Sequence, residues 1–320
     1  MSNATSPSNP PLSTGIVMVA TGAALWGTDA LFRRGLALEL PSSTLVLLEH
    51  IVLVAITFPF LWRSRARLRR LSRLDWLSAL VIGAGSSALA TVLFTSAFRH
   101  GDATTPLLLQ KVQPLIAVAA AVILLGERPL PRFTWFLLTG MAGAYLVTFA
   151  NPTEVSVAAL TPALYALGAA VLWGLGTVLG RHLTSRLGFG SLTSLRFALA
   201  LPALVVFVAI GDGPSGLESL GTSDLLGVVL LALIPGLLAL LLYYRGLQTT
   251  PASAATLAEL AFPLSAVTLN YLFFGTALTM TQWIGMSLLA GTIVTMSRLS
   301  QRGGEEDLGI RLRQPVLGEV

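Results

Sequence analysis

Ten apolar runs, each close to membrane length, alternate with short polar stretches along this chain: 15–32, 42–62, 76–98, 103–124, 133–150, 161–180, 190–210, 225–246, 252–274 and 281–298. An α-helix needs roughly 17–25 residues to cross a bilayer core of about 30 Å. Lipid offers no water to backbone groups, so hydrogen bonds must close within each segment, and helix is the expected element. A membrane β-barrel would show shorter stretches of alternating polarity, and Val118 to Leu125 does not alternate. Short connections predict antiparallel neighbours. Residues 1–14, rich in Ser, Asn and Pro and without Lys or Arg, read as a disordered cytoplasmic tail rather than a signal peptide. Residues 299–320 read as a second polar, disordered cytoplasmic tail.

The pattern is written twice. Leu25-Trp26-Gly27 matches Leu172-Trp173-Gly174, and Arg34 falls opposite Arg181 at the same offset. Pro114 then pairs with Pro263, Gly126 with Gly275 and Asp75 with Asp224, all 149 residues apart. Residues 15–150 and 161–298 are therefore two repeats of five spans each. An odd number of crossings turns the second repeat upside down, as in many secondary transporters. The expected fold is an all-α integral membrane protein of ten transmembrane helices in two inverted five-helix repeats around one central cavity.

Composition agrees with the pattern. The chain has 320 residues, is 54% hydrophobic and only 11% charged, against about 25% charged in soluble proteins. Its net charge of +5 resides in arginines between apolar runs, and it lacks the aromatic-basic platform that binds single strands, so nucleic acid is not an expected partner. With no cysteine, disulfides and thiolate metal sites are excluded. With the N-terminus inside, the inner loops and C-terminal tail hold 15 arginines and the outer loops only Arg33, Arg34 and Arg99. The positive-inside rule then predicts both termini in the cytoplasm. Six of the inner arginines lie between Arg63 and Arg73. They read as a topology determinant, and as a contact for anionic lipid head groups in the sharper reading.

Several motifs together resemble the drug/metabolite transporter superfamily in its EamA-like branch. They are Ala24-Leu25-Trp26-Gly27 and Val171-Leu172-Trp173-Gly174, the prolines Pro114 and Pro263, Leu125-Gly126-Glu127, and Ser194-Leu195-Arg196-Phe197. The resemblance spans residues 15–298. Glu49-His50 stands where the family's arginine motif would fall in the first repeat, and Gly275-Thr276 lacks the glutamate expected after glycine. What the resemblance implies is export of amino acids, related metabolites or drug-like compounds from a bacterial cytoplasm across the inner membrane.

Lys111, Arg196, Glu49 and Glu259 lie inside predicted spans. A charge at the centre of a membrane helix costs about 2.5–3.5 kcal/mol, so such groups face the bundle interior and pair. The repeat aligns Glu49 with Arg196 and Glu259 with Gln110, which predicts the pairs Glu49–Lys111 and Arg196–Glu259, as gates or as fixed packing elements. Asp29 is expected to pair with Arg33 one helical turn on. His50 is a proton-carrying candidate or a hydrogen-bonded core histidine. Trp26 and Trp173, with Tyr243, Tyr244, Phe94 and Phe98, make a candidate aromatic wall or plain helix packing. Gly176-x-x-x-Gly180 reads as packing within the bundle.

No metal cluster, catalytic nucleophile motif or ATP-binding loop is present in the sequence, so neither an enzyme nor a cofactor is expected. The expectation is a secondary carrier, monomeric or homodimeric, working by alternating access. Balanced intramembrane charges rank a zwitterionic or amine-containing metabolite first, aromatic or cationic drugs second, and phosphorylated solutes last. A channel or a non-transporting scaffold is the rival from another class.

Overall fold

The computed structural model describes residues 12–99, 104–155, 160–211, 213–275 and 277–312. In the first half, α1 (Leu12–Trp26), α2 (Asp29–Glu39), α3 (Ser42–Arg63), α4 (Arg65–Leu68) and α5 (Arg73–Leu80) lead through a π-helical segment at Val81–Leu89. The chain continues in α6 (Ala90–Arg99), α7 (Thr104–Gln110), α8 (Gln113–Leu125) and α9 (Pro131–Thr148). In the second half, α10 (Leu160–Leu187), α11 (Phe189–Ile210) and α12 (Thr222–Leu231) lead through a second π-helical segment at Ala232–Leu238. There follow α13 (Ala239–Leu247), α14 (Ala252–Ala258), α15 (Ala261–Phe274) and α16 (Met280–Asp307). Eight stretches among the described residues are long and apolar enough to span a membrane, matching spans one to four and six to nine. The fifth and tenth spans are the helices α9 and α16, which fall outside that set.

The two halves share their irregularities at the 149-residue offset, and each has a local cause. Proline lacks an N–H and clashes with the carbonyl four residues back. Pro114 and Pro263 therefore interrupt their helices at Lys111–Val112 and Glu259–Leu260. Gly126 and Gly275 close α8 and α15 in the left-handed conformation, at φ of 67° and 64°, where glycine carries no Cβ penalty. Asp75 accepts the N–H of Ser72 and Asp224 that of Gly221, each at the start of the helix leading to a π segment. The π segments lie at matching positions; such bulges concentrate at functional sites.

The lateral surface is apolar. Phe58, Phe60, Leu138, Val205, Leu225 and Phe273 are all more than half exposed, as expected for side chains that face lipid rather than water. Trp62 and Trp135 lie exposed near the arginine-rich end, the level at which aromatic belts form.

The C-terminal region departs from the expected disordered tail. α16 runs on to Asp307, and Ile310–Leu312 (β2) pairs antiparallel with Glu127–Pro129 (β1). Leu308 and Ile310 are fully buried beneath this small sheet, and apolar burial accounts for its order. Residues 1–11 and 313–320 lie outside the described residues, as do the expectations that fall on them.

Candidate functional site

A cavity of about 580 Å³ runs between the two halves. It is bounded by Trp26, Glu49, His50, Lys111, Trp173, Arg196, Tyr243 and Glu259, eight of the nine residues singled out from sequence. Tyr244, the ninth, is fully buried behind the wall, where its hydroxyl accepts from Arg196 Nη1 at 2.8 Å. Phe98 belongs to the predicted aromatic wall, but its side chain lies outside the described residues. The lining reaches Asp29, Arg33, Ala37 and Ser42 at one end of the bundle. None of the loops at the arginine-rich end contributes to it.

The helix breaks deliver the polar groups. Where α7 gives way to α8, Gln110, Lys111 and Gln113 come to the cavity; where α14 gives way to α15, Glu259 does. Arg33 reaches the cavity because α2 resumes the helix after the Gly27–Thr28 break instead of ending as a loop.

Aromatic side chains form two cross-half pairs related by the repeat. Trp26 meets Tyr243 with ring centroids 5.2 Å apart, and Phe94 meets Trp173 at 5.1 Å. His50 packs edge-on against its aligned counterpart Phe197 at 5.7 Å. The tryptophans differ in one respect. Trp173 donates its indole N–H to Ser86 O at 3.0 Å, whereas among the described residues Trp26 makes no such bond. Gly176 packs on Ser86 and Gly180 on the Tyr244 ring, so that glycine pair serves internal packing.

The predicted ion pairs are not the ones formed. Glu49 pairs with Arg33 at 3.0 Å, and Arg33 also holds Asp29 at 2.6 Å, the expected one-turn pair. Lys111 has no ion pair or hydrogen bond among the described residues, because Arg33 reaches Glu49 in its place. Glu259 accepts from Tyr243 Oη at 2.7 Å, Thr177 Oγ1 at 2.8 Å and Gln113 Nε2 at 2.9 Å. Arg196 donates to Ser87 Oγ at 2.5 Å and to Tyr244, and no carboxylate lies within ion-pair distance of it among the described residues. Neutral hydroxyls and one amide, drawn from both halves, replace the charge pairing expected there. His50 donates Nδ1–H to Val46 O at 2.9 Å, which leaves its buried Nε2 without a partner. Arg33, Gln113, Thr177 and Ser87 were missed from sequence; Gln113, beside Pro114, carried the clearest signal.

At the arginine-rich end the halves are tied together. Asp75 meets His182 Nε2 and Arg186 Nη1, each at 2.9 Å. Ser64 and Ser191 share a hydrogen bond at 2.7 Å, and Arg67 donates to Leu187 O at 2.8 Å. The Glu127 carboxylate accepts the N–H groups of Ala252 at 2.6 Å and Ser253 at 2.9 Å. Helices α1 and α13 cross there on Gly15 and Gly246, where a Cβ on Gly246 would lie 2.7 Å from Val19 N.

A bundle of membrane-length apolar helices around a cavity lined by aromatic and charged side chains, reaching one end and tied at the other, fits a multi-pass membrane transporter. The sequence profile of the EamA-like transporter family matches residues 13–149 and 160–298, and the chain belongs to that family. It is 31% identical to the riboflavin transporter ImpX of Fusobacterium nucleatum over 299 residues, 89% of this chain and 98% of that one. It is 25% identical to an uncharacterized inner membrane transporter, YicL, of Salmonella typhimurium, covering 90% of this chain and 96% of the other. A crystal structure at 23% identity superposes with a TM-score of 0.74 over 91% of this chain and 98% of its own.

Proposed function

We propose that this protein is a secondary carrier that moves a small flat-ringed solute across a bacterial inner membrane by alternating access. In this reading ten helices form two inverted five-helix repeats, both termini are cytoplasmic, and the conformation described is open to the outside. The observation that carries it is the cavity between the halves, which reaches one end of the bundle and stops short of the end that holds Arg63–Arg73. By the positive-inside rule the closed end is cytoplasmic. Matching π segments and helix breaks on the cavity wall support rocking of one half against the other. The exposed arginines at 63, 65, 69, 70 and 73 suit anionic head groups at that face.

A volume of about 580 Å³ falls within the roughly 300–1,000 Å³ of sites for drug-sized ligands. Two aromatic pairs on the cavity wall favour a planar ring over a small aliphatic amino acid. The similarity to a riboflavin transporter supports a flavin-like solute. The test is riboflavin counterflow in proteoliposomes holding the purified full chain, with riboflavin loaded on either side to read direction. Accumulation of labelled riboflavin is expected. No exchange of riboflavin, together with exchange of amino acids, would overturn the flat-ring reading.

A further inference from the structure

We infer that the cavity selects solutes rich in hydrogen-bond acceptors, neutral or anionic, and rejects amines, with Lys111 as the residue that decides this. The inference deepens the flat-ring reading and rests on it for the aromatic part of the solute alone. It comes from which polar groups on the cavity wall are already committed. The three carboxylates are all engaged: Arg33 holds Asp29 and Glu49, while Glu259 accepts from three donors. An ammonium entering here finds no uncommitted anion, only the neutral acceptors His50 Nε2 and Gln110 Oε1. The donors are the reverse case. Among the described residues the Lys111 ammonium has no partner, the Trp26 indole N–H makes no bond, and Arg196 uses only part of its guanidinium.

The energetics favour an acceptor at Lys111. A charge at membrane depth is costly unless paired, and Lys111 is half-buried at the cavity wall with no partner among the described residues. A solute carbonyl or carboxylate would satisfy the ammonium; a second ammonium would add like-charge repulsion. Position supports the same conclusion. Lys111 sits in the break between α7 and α8, where the irregular backbone lines the cavity instead of meeting lipid. Its aligned counterpart in the second half is Leu260, so the donor is present on one wall only. The solute is thereby oriented: ring between the aromatic pairs, acceptor edge toward Lys111.

The experiment uses a pair of probes with one ring and opposite charge, indole-3-acetate and tryptamine, alongside riboflavin. Thermal stabilisation of the purified full-length protein is measured for the native chain, Lys111→Met and Lys111→Gln. In the native chain indole-3-acetate and riboflavin are expected to bind at least tenfold more tightly than tryptamine. Both substitutions should remove most of that difference, and Lys111→Arg should retain it. The two neutral variants guard against one that fails to fold. Failure of riboflavin to bind, with indole-3-acetate still favoured over tryptamine, would remove the flavin reading and leave this inference standing. Tryptamine binding as tightly as indole-3-acetate, no binding of either indole probe, or an unchanged preference in both neutral variants would each overturn it.

Discussion

The two ends of this bundle are built on opposite plans. At the arginine-rich end several polar contacts join one half to the other: Asp75 to His182 and Arg186, Ser64 to Ser191, Glu127 to the start of α14. At the cavity mouth the strongest contacts stay within one half, where Arg33 gathers Asp29 and Glu49. Cross-half bonds resist rocking and within-half bonds do not. The difference teaches why one end is shut and the other open, and under the proposed alternating access it tells which bonds must break for the cavity to change sides.

The largest expected effect is at the crossing of α1 and α13. Gly246→Ala places a methyl 2.7 Å from Val19 N and against the Gly15 carbonyl. Backbone cannot yield as a flexible side chain can, and such overpacking costs on the order of 3 kcal/mol. The melting temperature in detergent should fall by several degrees. Gly291→Ala, with nothing within 4 Å of its added methyl, should leave it unchanged. Equal melting of the two variants would mean that the crossing is looser than drawn.

Next in size is the tie at Glu127. Its carboxylate satisfies two N–H groups at the N-terminus of α14, where negative charge is favoured. Glu127→Gln should cost about 1–2 kcal/mol, the range for losing a charged cap. The chain has no cysteine, so one introduced at the buried Ala252 reports this end cleanly. Labelling there should rise several-fold in Glu127→Gln, and also in Asp75→Asn, which weakens the contacts to His182 and Arg186. Labelling as slow as in the parent would show that the polar ties do not hold this end shut.

Arg33 tests the mouth. Arg33→Gln leaves Asp29 and Glu49 without their cation, so the cavity gains two uncommitted carboxylates. Tryptamine should then bind several-fold more tightly than to the native chain, in the same thermal-shift measurement. Unchanged tryptamine binding would mean that those acids do not face the solute. Here, too, the two ends part: the substitution should leave labelling at Ala252 unaltered.

The helical membrane class, the two repeats and most of the wall residues were legible in the sequence; their partners were not. Hydropathy gave ten runs, eight of which are helical stretches long and apolar enough to span a membrane among the described residues, and the repeat pointed to Trp26, Trp173, Glu49 and Glu259, which line one cavity. The repeat could not pair the charges, because that depends on where the chain leaves each helix axis. Arg33 was assigned to an outer loop because its span already had membrane length; α2 instead carries it over Glu49. Pro114 and Pro263, which the repeat pairs, both mark interruptions of their helices, as Pro235 does within the second π segment. The fold of Leu308 and Ile310 onto the β1 loop was hidden because two apolar residues in a polar tail carry no periodicity.

The smallest effect is the most discriminating, because it compares two residues that the repeat makes equivalent. Trp173 spends its indole N–H on the Ser86 carbonyl at 3.0 Å, within the first π segment. Trp26 lines the cavity with its N–H unbonded among the described residues, while its ring meets Tyr243 much as Trp173 meets Phe94. Replacing either by phenylalanine preserves an aromatic face and deletes the N–H. Trp173→Phe should therefore lose about 1 kcal/mol of stability, the typical net worth of one hydrogen bond, and leave solute affinity within twofold. Trp26→Phe should keep its melting temperature and weaken binding of riboflavin or indole-3-acetate by about three- to tenfold, if its N–H is a donor to the solute. Thermal unfolding with and without solute reads both quantities on the same samples. Affinity lost at Trp173 instead, with Trp26→Phe silent, would place the solute against the other wall and reverse the orientation assigned by Lys111.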